Sequence, residues 1–185
     1  MTRGRLPETG LRMKTGTTVA ITLGAAAVLS AAGALIVIAT GAYNVAATSP
    51  HSKPVEWVLG TTMDRSVEVR AARLIPPEAA LKATGRAGFQ EFDDNLCVMC
   101  HGAPGVEATG IGKGLYPSAP ELSKATGDLS MAEIYWIITN GIKDTGMPAF
   151  EASLPEKDRW LMASFVKRLA GMSAKDYQNL RPAGG

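Results

Sequence analysis

Cys97, Val98, Met99, Cys100 and His101 place two thiols and an imidazole within five residues, and the chain has no other cysteine. A pair only three apart cannot be the disulfide framework of a small secreted domain, which needs several cysteines bridging distant segments. On a helix, residues three apart lie about one turn from each other, so both sulfurs face the same side and the imidazole follows within that turn. A thioredoxin-type dithiol would need a preceding strand and an α/β pattern, and the sequence offers neither. A zinc site could use Cys97, Cys100 and His101 but lacks a fourth cysteine or histidine apart from distant His51. The remaining reading of C-x-x-C-H is the attachment run of one c-type haem, whose vinyl groups take the two thiols and whose iron takes the imidazole.

The chain has 185 residues, enough for one domain with extensions. Lys and Arg number 19 against 17 Asp and Glu, but the balance is uneven. Residues 1–77 hold the excess of positive charge, while the part carrying the cysteines is mildly acidic. A nucleic-acid module would concentrate Lys and Arg on a folded face, so that class of partner is not expected.

No charged residue occurs from Val19 to Ala42. As a helix, that run would extend ~36 Å, sufficient to cross a ~30 Å hydrocarbon core with some tilt. Arg3, Arg5, Arg12 and Lys14 precede it, which predicts a cytoplasmic N-terminus and a chain that continues outside the cytoplasmic membrane. A cleaved signal peptide shares this order of features, and Val45-Ala46-Ala47 could serve as a cleavage site, but the apolar run is longer than a signal requires. Ala26, Ser30 and Ala34, with Gly33 and Gly41, form small-residue ridges of the kind that admit a partner helix. The expected organisation is a basic terminus over 1–16, a transmembrane anchor over 17–42, a connecting segment over 43–77, a haem domain over 78–172 and a tail over 173–185. Within the connecting segment, Pro50, Pro54 and Pro76-Pro77 bracket Val55, Val58, Leu59 and Met63, which predicts a short amphipathic helix. Its apolar face suits a membrane surface, a partner subunit or the underside of the haem domain.

From about residue 78 to residue 172 the chain resembles the class I cytochromes c, in the membrane-anchored bacterial form. The resemblance implies an all-α fold of three or four helices around one haem, with the first helix crossing the last. The first is placed from Pro77 through Asn95. Gly88 and Phe92 have the spacing of the small and aromatic residues at that crossing. Phe92 stands one residue farther from Cys97 than the family pattern has it, which leaves Phe89 or an altered register as the alternatives. Ser130 with Glu133, and Ser153 with Glu156, read as capping boxes opening two later helices. Ile134, Ile137 and Ile138 give the earlier helix an apolar face, and Trp160, Leu161, Phe165, Val166 and Leu169 give one to the last. Phe165 or Trp160 is expected to face Gly88. Trp136 is first a core residue and also the residue placed to touch the haem edge or its propionates. Pro120-Glu121-Leu122 resembles the family's Pro-x-Leu segment, so the Pro120 carbonyl is expected to accept a hydrogen bond from the second nitrogen of His101.

Electron-transfer haems fill their other axial position most often with Met or His. His51 lies in the connecting segment, which disfavours bis-His ligation. Met131 falls at a predicted helix start, Met162 inside a helix and Met172 in the tail. Met147 lies in Gly141-Ile142-Lys143-Asp144-Thr145-Gly146-Met147-Pro148, where glycines and a proline impose an irregular loop, and Gly146-Met147-Pro148 resembles the family's ligand loop. The expected iron ligands are therefore His101 and Met147. Such a centre leaves no position for oxygen or a substrate, so an electron-transfer protein is expected and not an enzyme. The first reading is a membrane-tethered carrier between periplasmic or membrane redox proteins. The second is a permanent cytochrome subunit of a respiratory, photosynthetic or dehydrogenase complex. A haem enzyme or gas sensor with an open axial position is the third. The acidic haem domain would favour a partner with a basic docking patch.

Overall fold

The structure is a computed structural model, and it describes residues 15–83 and 85–181. The basic terminus expected over 1–16 lies almost wholly outside the described residues. Helices are the regular elements among the described residues, which contain no strand and a single isolated bridge between Ala103 and Val106. They separate into two units that divide at residue 45.

The first unit contains α1, Thr15–Thr40, one helix of 26 residues without a charged side chain. An 18-residue stretch of it reaches a mean hydropathy of 2.3, and its length is that of a membrane span. The Thr22 and Thr40 hydroxyls donate to the carbonyls of Thr18 and Ile36, so these two are satisfied within the helix. The helix ends at Gly41, whose φ of +63° a β-carbon would disfavour.

The second unit opens with α2, Lys53–Ala71, which has Pro54 in its first turn, where a missing N–H removes no helical bond. Val55, Leu59, Met63, Val67 and Ala71 recur at intervals of four along one stripe. Only Val67 and Ala71 are buried, against α8, while Leu59 and Met63 stay 52% and 41% exposed and Trp57 is exposed beside them. The apolar face predicted from the N-terminal half of α2 is thus present, but the packing uses its C-terminal half.

The first haem-domain helix, predicted as continuous from Pro77 to Asn95, is divided into α3, Glu78–Leu81, and α4, Gly85–Asp94. The Arg168 guanidinium donates to the Ala83 carbonyl at the interruption, supplying a partner that a continuous helix would have supplied itself. Next come α5, Cys97–His101, α6, Gly110–Lys113, and α7, Leu122–Ala125, all short. Helix α8, Met131–Asn140, opens with the predicted capping box: the Ser130 hydroxyl accepts from the Glu133 N–H, and the Glu133 carboxylate accepts from the Ser130 N–H at 2.8 Å. Helix α9 covers Glu156–Leu169. The second predicted capping box is absent, because α9 begins after Pro155 and the Ser153 hydroxyl turns back to the Phe150 carbonyl. The C-terminal stretch, read as a tail, contains α10, Ala174–Leu180, capped by Ser173 on the Asp176 N–H.

The core forms where α4 crosses α9. A β-carbon on Gly88 would lie 2.6 Å from the Phe165 Cβ and closer still to the Leu161 carbonyl oxygen, so only glycine allows this approach. Phe165, not Trp160, faces Gly88. Phe92 is fully buried, with its ring 5.4 Å from that of Phe165. Phe89 fills the other side, edge-on to both Phe165 and Tyr177 of α10. Trp160 instead stacks on Tyr135 of α8 with ring centroids 3.8 Å apart.

Gly88→Ala should therefore force α4 and α9 apart. Overpacking of this kind costs roughly 1–3 kcal/mol, and thermal unfolding should show a lowered midpoint. An unchanged midpoint would mean that the crossing is looser than drawn.

Candidate functional site

Helix α5 is a single turn held between two left-handed residues. Leu96 precedes it at φ +57°, and Gly102 closes it at φ +63°, with the Gly102 N–H on the Val98 carbonyl. A side chain at Gly102 would run into the Val106 carbonyl, where the chain folds back in the Ala103–Val106 bridge. The turn is backed by α6. Thr109 donates both its N–H and its hydroxyl to the Met99 carbonyl, each at 2.9 Å. Gly112 sits so close behind Cys100 that a β-carbon there would lie 2.7 Å from the Cys100 Cα.

Cys97 and Cys100 are both half-buried and not disulfide-bonded. Burial pushes the Cys97 thiol up to about 12, the reverse of the lowered value that makes a dithiol a redox nucleophile at neutral pH. Among the described residues no three His, Cys, Asp or Glu side chains converge as a metal cluster. The His101 Nδ1 lies 2.8 Å from the Pro120 carbonyl oxygen, the acceptor expected from the Pro-x-Leu resemblance. A carbonyl only accepts, so Nδ1 carries the proton and Nε2 keeps its lone pair. Burial lowers the imidazole pKa more than this bond raises it, which keeps the ring neutral and able to ligate a metal.

The Met147 loop meets the 110–120 segment at Leu115. A β-carbon on Gly146 would touch the Leu115 side chain at 2.7 Å, so the glycine lets the loop settle on Leu115. The Thr145 hydroxyl donates to the Ile142 carbonyl and accepts from the Met147 N–H at 3.1 Å. The Met147 carbonyl accepts from the Ile142 N–H, and the Phe150 N–H returns to Ile138 of α8. Gly141, at φ +64°, ends α8 and lies directly under this loop: a β-carbon would meet the Met147 carbonyl oxygen at 2.7 Å and the Ala149 nitrogen at 2.8 Å. Met147 itself is half-buried against the core. Two thiols on one turn, an imidazole with a free Nε2, and a thioether on a braced loop are a donor set that fits haem c.

Trp136 is half-buried on α8 and lines a groove shared with α2, whose packing on the haem domain was one of the three places its apolar face suited. His51, set aside as distant, is placed near the 110–120 segment: its N–H donates to the Tyr116 hydroxyl at 2.7 Å, and the two rings meet edge to face at 5.1 Å. Sequence reasoning missed Thr109, Gly112, Leu115 and Tyr116, which hold the layer behind α5. The run of glycines from Gly102 to Gly114 was the only available signal.

An all-helical fold with C-x-x-C-H on a one-turn helix, and the histidine anchored to a proline carbonyl, makes this segment a class I c-type cytochrome domain, a haem c module for electron transfer. The family model that matches it, over residues 80–166, is that of cytochrome c oxidase, cbb3-type, subunit III. Comparisons with curated proteins and with solved structures give no match.

Gly141→Ala would combine a left-handed backbone, costing of order 1–3 kcal/mol for a residue with a β-carbon, with a collision against the loop that carries Met147. The expected outcome is a displaced loop, read as a weakened or lost Met-to-iron absorption band in the oxidised protein. Retention of a full-strength band would show that the loop does not depend on this approach.

Proposed function

We propose that the protein carries single electrons outside the cytoplasmic membrane on one covalently held haem, tethered by α1. Haem c supplies a one-electron ferric/ferrous couple when bound. The chain's own residues do the rest. Cys97 and Cys100 would hold the macrocycle by thioether bonds, and His101 would offer Nε2 to the iron. Pro120, by accepting from Nδ1, orients the ring and makes it a better donor. Met147 would offer its thioether to the iron from its braced loop, which would leave no position for oxygen or a substrate and would favour the reduced state. The observation that carries this reading is the His101 to Pro120 bond on a turn with two unpaired thiols.

The span-like length of α1 supports a membrane tether, and Arg3, Arg5, Arg12 and Lys14 ahead of it support a cytoplasmic N-terminus with the haem domain on the outer side. A second reading is a permanent subunit of a membrane oxidoreductase. It is favoured by the matching family, which is that of an oxidase subunit.

Met147→Ala tests the ligand set. The variant should lose the Met-to-iron band and gain carbon monoxide binding when reduced at neutral pH, while keeping its covalently attached haem. Carbon monoxide binding by the unaltered protein would overturn the closed six-coordinate centre. Mild detergent extraction separates the two roles: a carrier should emerge as a free haem protein, and a subunit should co-purify in fixed stoichiometry with other chains.

A further inference from the structure

Helix α2 is apolar on two opposite sides. Val67 and Ala71 mark the side packed on α8. Val58 precedes Val67 by nine residues, which at about 3.6 residues per turn is two and a half turns, so Val58 points away from α8. Val69 and Thr62 fall within about 40° of the same outward line, and Val55 and Leu59 lie beside it. Val58, Leu59 and Val69 are 51%, 52% and 59% exposed. A helix on the surface of a soluble domain turns charged and polar side chains outward, so this second apolar side needs a cover of its own. The charges of α2 are placed to match. On the same helical spacing, the outward half holds Arg65 and no carboxylate, while Glu56 and Asp64 fall toward the packed side and Glu68 and Arg70 on the two edges. Arg73 follows the helix and is exposed, as is Ile75.

What covers this side follows from its chemistry and from where the chain has just been. Aliphatic side chains flanked by arginines, with no acid among them, suit the boundary of a bilayer: the aliphatic groups enter the acyl region and the guanidinium groups stay with anionic headgroups. The Arg65 pair with Glu68 is exposed on both sides, so Arg65 loses little by turning to a lipid phosphate. Arg70 and Arg73 form no ion pair among the described residues. The chain leaves α1 only twelve residues before Lys53, so a membrane crossed by α1 is never more than about 40 Å of chain from this helix. We propose that the outward side of α2, centred on Val58 and Val69, docks on the anionic lipid surface of the membrane that α1 spans. The proposal rests on the reading of α1 as a tether. It adds a second membrane contact, which would hold the haem domain at the bilayer in one orientation, because α2 is packed on α8 and its start is fastened by the His51 N–H to the Tyr116 hydroxyl.

The test uses the full haem-loaded chain in vesicles of phosphatidylcholine with phosphatidylglycerol. With Cys97 and Cys100 spent on haem, a nitroxide can be attached at one new thiol: Val58→Cys or Val69→Cys on the outward side, Asp64→Cys toward the packed side, or Ala27→Cys within α1. The reduced haem spectrum, unchanged in each, shows that the fold is kept. Collision with oxygen relative to a water-soluble nickel chelate, which rises with depth in the bilayer, is expected to be several-fold higher at positions 58 and 69 than at position 64. Joint Arg65→Glu and Arg70→Glu substitution should lower it several-fold at position 58, and joint substitution of both by Lys should not. The proposal is overturned if positions 58 and 69 read as water like position 64, or if charge reversal changes nothing. It is equally overturned if they are shielded from both reagents, which would mark a protein, a second copy or another subunit, as the cover. Position 27 separates the two readings: lipid there with water at 58 removes only the docking of α2, whereas water at 27 removes the tether and the docking with it.

Discussion

The close approach of α4 to α9 at Gly88 determines where the haem-binding turn can stand. Helix α4 leads through Asn95 and Leu96 straight into α5, so the position of Cys97 follows from how deeply α4 seats on Phe165 and Leu161. Three aromatic rings, Phe89, Phe92 and Phe165, interlock around that point, and Tyr177 of α10 closes the outer side. An interior packed this tightly transmits displacement instead of absorbing it. The single-turn α5, too short to hold itself together as a helix, takes its rigidity from this crossing on one side and from Gly112 and Thr109 of the α6 segment on the other.

What could be read from the sequence was what depends on near neighbours in the chain. The C-x-x-C-H run, the Ser130–Glu133 cap and the Gly146-Met147-Pro148 loop each announce themselves within a few residues. So does the long uncharged run of α1. Features decided by distant partners were not legible. Ser153 and Glu156 have the spacing of a cap, but Pro155 takes the first position and the helix starts later. The stripe on α2 is continuous from Val55 to Ala71, and nothing in it tells which half will find α8. Tyr177 is buried because Phe89 leaves a face to cover, a fact that no window around Tyr177 contains. Its helix did carry a local sign, Ser173 three residues before Asp176, overlooked because the segment follows the last expected element.

Buried polar groups show the same dependence on distance. Thr126 donates its hydroxyl to both Leu122 and Val166, and Lys167 reaches across to the carbonyls of Thr126, Gly127 and Leu129. One lysine thereby satisfies the open end of α7 and ties the α7–α8 connection to α9. The charge sits where helix carbonyls are exposed, which favours it electrostatically as well. Against that background of satisfied groups, Thr139 and Arg159 stand out as the two buried side chains without such partners among the described residues.

A tether would change what the haem domain must achieve by affinity. Twelve residues separate the end of α1 from the start of α2, a connection that can extend no more than ~40 Å at ~3.5 Å per residue. A domain held within that distance of a membrane meets membrane-bound partners at an effective concentration set by the tether, so its docking surface can be weak and still serve rapid exchange. Weak docking suits electron transfer, because each partner must leave before the next arrives. A subunit locked in a complex has the opposite need: a large, dry and permanent contact. The unburied half of the α2 stripe, with Trp57, Leu59 and Met63 exposed, is the place where these two requirements part. A carrier would have to keep that surface from forming lasting contacts with other proteins, whereas a subunit would bury it.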